Sequence, residues 1–264
     1  MGELLTPIRL LAHRLSGGIK LDRTEVDALS SIAGPSRRFE KGQTIVEQGE
    51  TSPLVWLTGE GWAFRQKVLR DGRRQIIAIL LPGELTEKGP PMPFGAPETI
   101  AAATELLAQS VDRRQLMELT ETYPRILHAL FFEELTRHTI TREWMVLLGQ
   151  RKPEERLAYF FYETYARLNA MGMVSGSSLE VPISQKDLAD MLGMSPVHLN
   201  RTLQRLRARN IVSWETPHVE VLNREALAYL AEFSKDLDKV AKDFSERAKV
   251  LDAEAQPAMI DARQ

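Results

Sequence analysis

Residues 184–212 read SQKDLADMLGMSPVHLNRTLQRLRARNIV, and this stretch decides the fold. Ser184 caps a first helix with Asp187 in the reciprocal position, and Leu188, Ala189 and Leu192 supply its buried face. Gly193 permits a tight turn. Ser195 followed by Pro196 is an N-cap plus a first-turn proline, so a second helix starts there, since proline lacks the N–H that a helix interior must donate. Leu199, Leu203 and Leu206 line its inner side, while His198, Asn200, Arg201, Gln204, Arg205, Arg207 and Arg209 fill the rest with no acidic residue among them. Many amphipathic helix pairs joined by glycine share part of this pattern. A groove-reading pair requires this distribution, with residues at the start of the second helix on base edges and Arg and polar groups further along on phosphates.

The residues directly after the pair strengthen the DNA-binding reading. Ile211, Val212 and Trp214, the turn Glu215-Thr216-Pro217-His218, then Val219 and Val221 make a two-stranded hairpin immediately beyond the second helix. A helix-turn-helix with such a wing is a DNA-binding arrangement, and the expected partner is double-stranded DNA.

The chain of 264 residues is long enough for one large or two medium domains. A formal net charge of −2 does not announce nucleic acid; the positive charge is local to the second helix, where a groove-reading element needs it. The absence of cysteine excludes a disulfide framework, thiolate zinc sites, cysteine-ligated iron–sulfur clusters and a cysteine nucleophile. No run approaches the length of a membrane span and no basic, apolar, small-residue leader opens the chain, so a cytoplasmic protein without membrane contact is expected.

Upstream, Leu5, Ile8, Leu11 and Leu15 recur at helical spacing, and Asp22 to Ile32 forms a second short helix ended by Gly34-Pro35. Glycines and turn pairs then separate strands at Thr44–Val46, Leu54–Thr58, Trp62–Leu69 and Arg73–Leu81, with Asp71-Gly72 turning a hairpin. The prolines and glycines of Thr86–Pro97 make that segment a loop. Strands resume at Thr99–Ala103 and Leu106–Val111, closing a small antiparallel barrel or roll, and Asp112 caps a helix to Thr122.

Pro124 opens a long helix to Leu148 whose apolar positions, among them Ile126, Leu127, Leu130, Phe131, Leu135, Trp144, Leu147 and Leu148, follow three-and-four spacing on a wide face. A core helix is one reading. In this order of elements a dimer seam is the better one, because two-fold DNA readers need one. Gly149 to Pro153 is a candidate hinge; a helix from Pro153, a loop at 172–178 and a strand Leu179–Ile183 lead into the motif. Beyond the wing, Asn223 caps a helix with an apolar stripe from Leu227 to Leu251, covered either by the chain's own domains or by a second self-association surface.

This order resembles the Crp/Fnr superfamily of bacterial transcription regulators over roughly Thr6 to Phe233. The likeness is carried by KGQTIVEQGE (41–50), LRDGRRQIIAILLPGE (69–84) and SPVHLNRTLQRLR (195–207). It implies an α+β fold with an N-terminal antiparallel β-roll of the cyclic-nucleotide-binding kind (1–122), a dimerisation helix (123–149) and a C-terminal winged helix-turn-helix (150–234); the helical extension and frayed tail expected at 235–264 lie beyond the resemblance. It further implies a homodimer on a two-fold operator; some members recruit RNA polymerase and others repress. The residues expected on DNA are Ser184, Ser195, Pro196, His198, Asn200, Arg201, Gln204 and Arg205. Arg201 stands at the family's reading arginine, with Asn200 or His198 on a neighbouring base and Ser195, Gln204 and Arg205 on phosphates.

Departures from the family's pattern bear on the signal. Nucleotide-binding members carry a Gly-Glu-Leu element followed by Arg-Ser or Arg-Ala, because a buried phosphate needs a bidentate cation. Gly83-Glu84-Leu85 spells the first element but follows Pro82, and the place of the arginine reads Ala96-Pro97-Glu98-Thr99, where a carboxylate would repel phosphate. Thr141 falls where the long helix of such members meets the purine. No cofactor is therefore expected, neither cyclic nucleotide nor iron–sulfur cluster.

The alternative is a sensing module with a small ligand or haem, ligated by His128 and His138, whose winged domain contacts protein. An enzyme is not expected, since no nucleophile–base constellation or phosphate-cradling glycine loop is present. Glu133, Glu134 and His138, a turn apart, have a spacing that suits a metal but are read as salt-bridging groups across the dimer seam.

Overall fold

The computed structural model describes residues 6–87 and 95–232. Helices α1 (Pro7–Ser16) and α2 (Arg23–Ser31) precede strands β1 (Ala33–Phe39), β2 (Thr44–Val46), β3 (Leu54–Thr58), β4 (Ala63–Val68), β5 (Arg74–Leu80), β6 (Thr99–Ala102) and β7 (Leu106–Asp112). Then come α3 (Arg113–Thr122), α4 (Pro124–Gln150), α5 (Pro153–Ala170), β8 (Ser178–Glu180), α6 (Gln185–Leu192), α7 (Pro196–Ala208), β9 (Val212–Glu215), β10 (His218–Val221) and α8 (Arg224–Ala231). The class is α+β, with antiparallel sheets first and the helix-turn-helix last.

Two antiparallel sheets, ordered β1-β7-β3 and β2-β6-β4-β5, make the roll. They share a core in which Phe39, Ile45, Leu80, Ile100, Leu106 and Ala108 meet. Strand β1 departs from expectation, because Gly34-Pro35 reads as the stop of α2. It survives as an edge strand: the pairing with β7 shifts register between Ala33 and Ser36, a bulge that accommodates a residue with no N–H to donate.

Prolines at the first helical position open α1, α4, α5 and α7, and Asp22 closes a full capping box with Glu25 on α2. Helix α4, 27 residues and about 40 Å long, spans the molecule. Near its start Ile126, Ala129 and Leu130 pack with α1 and the outer side of β3 and β7, and near its end Trp144 and Leu147 join the core of the C-terminal half. The expected hinge shrinks, since α4 continues through Gly149 and Gln150 to leave Arg151 and Lys152 between helices. Arg151 is tied to the Ala231 carbonyl (2.9 Å), Glu232 (3.2 Å) and Glu143 (3.4 Å). Helix α8 ends at Ala231, with Glu232 capping it in the left-handed conformation (φ 44°), and the rest of the stripe expected to reach Leu251, like the extension at 235–264, lies outside the described residues.

Glu84, 2% exposed, joins these parts. The turn that carries it requires Gly83 (φ +82°), where an added Cβ would stand 3.0 Å from the Leu10 backbone on α1. The Glu84 carboxylate accepts from Arg14 of α1, from Arg137 of α4 (3.0 Å) and from Arg167 of α5 (2.6 Å). Glu133 adds pairs to Arg14 (3.5 Å) and Arg137 (3.9 Å), and Glu163 one to Arg167 (2.8 Å), so three cations face three carboxylates. Burial alone would raise the Glu84 pKa, but the charges of Arg137, Arg14 and Arg167 outweigh it and hold the carboxyl well below its ordinary value.

Removing one partner from a buried ion cluster leaves the others uncompensated, so Glu84→Gln should lower the unfolding free energy by about 3–5 kcal/mol, measured by denaturant titration at pH 7. Because the native pKa is depressed, this stabilisation is complete above the ordinary glutamate value of 4.5 and is lost as pH falls below it through the native one. The glutamine variant should lack that part of the acid dependence.

Candidate nucleic-acid interface

The helix pair forms for local reasons. The Ser184 hydroxyl accepts from the Asp187 N–H (3.1 Å) and donates to the Asp187 carboxylate (2.6 Å), which caps α6. Gly193 ends α6 in the left-handed region (φ 63°), which turns the chain into Ser195, whose hydroxyl accepts from the His198 N–H (3.2 Å). Leu199, Thr202, Leu203 and Leu206 bury one side of α7. The sequence-derived set divides on this surface. Ser195, Pro196, His198, Asn200, Arg201, Gln204 and Arg205 are exposed, while Ser184 is half-buried with its hydroxyl committed to Asp187.

Charge partners sort the exposed side of α7 further. Arg205 and Arg209 both reach Glu154 in the first turn of α5, at 3.1 and 2.9 Å, and Arg207 reaches Glu215 on β9 at 3.1 Å. The Asn200 amide donates to Gln185 on α6 (3.4 Å). Arg201, Gln204 and the His198 ring have no hydrogen bond or ion pair among the described residues. Sequence reading missed Glu154 because it lies beyond the reach of any local pattern, in a helix start that only tertiary packing brings beside α7. The wing is larger than a hairpin: β8 adds to it in the order β8-β10-β9, with Trp214 opposite Val219.

The helix-turn-helix is docked on the roll. Arg74 of β5 places Nη2 2.7 Å from both Asp187 and Asp190 of α6, and the Gln75 amide donates to the Asp190 and Met191 carbonyls. Burial would raise the Asp187 pKa, but hydrogen bonds from Ser184 and Arg74 lower it. One carboxylate thus serves the helix cap and the domain contact together.

Between roll and α4 lies a cleft of about 590 Å³ whose polar lining includes Arg65, Thr86, Glu87, Glu98, Arg113 and His138. Its arginines already carry carboxylates: Arg65 binds Glu98 (3.1 Å) and Arg113 binds Glu87. Thr141 is exposed and donates to the Arg137 carbonyl (3.0 Å). The seam expected along α4 is only half available, since Ile126, Leu130, Trp144 and Leu147 are buried in their own chain while Leu127, Phe131, Leu135 and Leu148 remain exposed. Glu133 and Glu134 both find partners within their own chain. Glu133 faces Arg14 and Arg137, and Glu134 pairs with His138 (3.3 Å). No group of metal-ligating side chains occurs among the described residues, His128 is exposed, and no described helix is long and apolar enough to cross a membrane.

Residues 36–123 match the family model of the cyclic nucleotide-binding domain, and residues 155–230 that of the Crp-like helix-turn-helix domain. Over 213 residues the chain is 25% identical to the transcriptional activator protein FnrA of Stutzerimonas stutzeri, covering 81% of this chain and 87% of that protein. It is 28% identical over 195 residues to the nitrogen fixation regulation protein FixK of Bradyrhizobium diazoefficiens, covering 73% and 80%. Among solved structures, FixK2 from Bradyrhizobium japonicum superposes with a TM-score of 0.66 at 25% identity, covering 75% of this chain and 97% of that one.

Arg74→Ala should loosen the docking by about 1 kcal/mol, the scale of a partly exposed ion pair. Tryptic cleavage at Arg151-Lys152 should then run about five-fold faster, since cleavage tracks the opened population. An unchanged rate would mean that Arg74 does not hold the two halves together.

Proposed function

Since the chain belongs to the Crp/Fnr superfamily, with a cyclic nucleotide-binding domain followed by a Crp-like helix-turn-helix domain, we propose that it is a sequence-specific transcription regulator acting as a homodimer on a two-fold operator. The observation that carries this reading is the exposed first half of α7, where Arg201 stands without a partner among the described residues beside a three-stranded wing. Arg201 reads a guanine, and Asn200 or His198 a neighbouring base. Ser195, Gln204 and Arg205 take phosphates, Arg205 by exchanging Glu154 for one.

The dimer forms along the free stripe of α4. Leu127, Phe131 and Leu135 recur every four residues, and Phe131 is 61% exposed, too much apolar surface in one row for a helix that meets only water. Paired about a two-fold axis, the helices present the two copies of α7 about 34 Å apart, one turn of duplex.

Regulation proceeds without a cyclic nucleotide. The carboxylate of the Gly83-Glu84-Leu85 element is consumed by Arg14, Arg137 and Arg167, and the place of the phosphate arginine holds Glu98, itself bound to Arg65. A chain without cysteine likewise cannot hold a cysteine-ligated iron–sulfur cluster.

Binding assays with the full chain test the roles. Arg201→Ala should cost about 1–3 kcal/mol of discrimination per half-site between the preferred sequence and unrelated duplex. Arg205→Ala should weaken all duplexes alike and flatten the salt dependence by about 1 in log–log slope. Identical behaviour of the two variants would defeat this division. Calorimetry should detect no binding of cAMP or cGMP, and micromolar affinity for either would overturn the ligand-independent reading.

A further inference from the structure

Val197 is the one large hydrophobic side chain exposed on α7. It is 64% exposed, among the polar neighbours Ser195, His198 and Asn200. A single exposed valine is common on protein surfaces; this one is set apart by its position. It stands in the first turn of α7, the part of such a helix that enters the major groove. It also precedes Arg201 by one helical turn, so the two share a face about 6 Å apart along the axis, or one to two base-pair steps of about 3.4 Å.

The commitments of the other side chains narrow the choice. Arg205 and Arg209 lean to Glu154, Arg207 to Glu215, and Asn200 toward Gln185, whereas the side chains of Val197, His198, Arg201 and Gln204 have no hydrogen bond or ion pair among the described residues. An isopropyl group offers no hydrogen bond. Of the features that bases present in the major groove, the one it can recognise is the C5-methyl of thymine.

We infer that Val197 is a specificity-determining residue that reads a thymine methyl within two base pairs of the guanine taken by Arg201. The half-site therefore holds a T·A pair beside a G·C pair. This assignment rests on the DNA-reading function above and adds to it a second base and the side chain that selects it.

The test begins with duplexes selected by the full-length chain from a random library. Each thymine of the preferred sequence is then replaced singly by deoxyuridine, which keeps the pairing and deletes only the methyl. One thymine per half-site, within two base pairs of the position whose guanine preference is lost in Arg201→Ala, should prove sensitive, with affinity falling about four-fold for the unburied methyl. The same replacement should leave the affinity of Val197→Ala unchanged. Val197→Glu, which supplies an acceptor there, should move the preference at that pair toward C·G through the cytosine N4 donor. Specific binding with no sensitive thymine, or a sensitive thymine whose effect persists in Val197→Ala, overturns the assignment of Val197 alone. A selection that returns no preferred sequence overturns it together with the function beneath it.

Discussion

A carboxylate with almost no access to water, gripped by guanidinium groups from three separate segments, organises this molecule. Glu84 comes from the roll, Arg14 from the N-terminal helix, Arg137 from the long helix and Arg167 from the helix that carries the winged domain. Each charge has lost its hydration, and each is compensated only while all four segments stay together. Hydrophobic contact would tolerate sliding between these segments; a buried ion cluster with fixed hydrogen-bond directions does not. Roll, long helix and winged domain therefore have a defined mutual arrangement rather than a tethered one.

The second organising fact is how positive charge is distributed over a chain that is slightly acidic as a whole. Arginines are plentiful, yet most of those described are spent on carboxylates of the same chain. Arg65 and Arg113 are neutralised inside the cleft beneath the roll, and Arg74 is committed to α6. On α7 the pairing becomes graded: the far half is held by Glu154 and Glu215, while Arg201 in the leading half is left uncommitted among the described residues. The exposed side of α7 thus carries its uncommitted cation in the leading half and ion-paired arginines behind it.

The elements fixed by short-range chemistry are legible in the chain itself. Ser184 with Asp187, Gly193, and Ser195-Pro196 specify two caps and a turn, and each forms with the partners its spacing implies. Asp71-Gly72 and the proline-started helices are equally readable. The features that escape are set by tertiary contact. Strand β1 pairs across a bulge that its own Gly34-Pro35 argues against, and α8 stops at Glu232 although the apolar stripe continues. The wide apolar face of α4 looks single in sequence, but packing divides it between Trp144 and Leu147 inside and Leu127 and Phe131 outside. Glu84 is legible only as part of a Gly-Glu-Leu element; its three arginine partners lie so far away in sequence that no spacing rule connects them.

Glu154 occupies the first turn of α5, immediately past the short joint between the two halves of the chain, and grips the two arginines that a DNA backbone would also attract. Phosphate and carboxylate compete for the same cations, so a phosphate drawn to Arg205 or Arg209 would take a restraint from the residue nearest the joint. By reciprocity, whatever tightens the joint makes those arginines harder to borrow. One carboxylate thus ties the charged flank of α7 to the joint between the two halves of the chain.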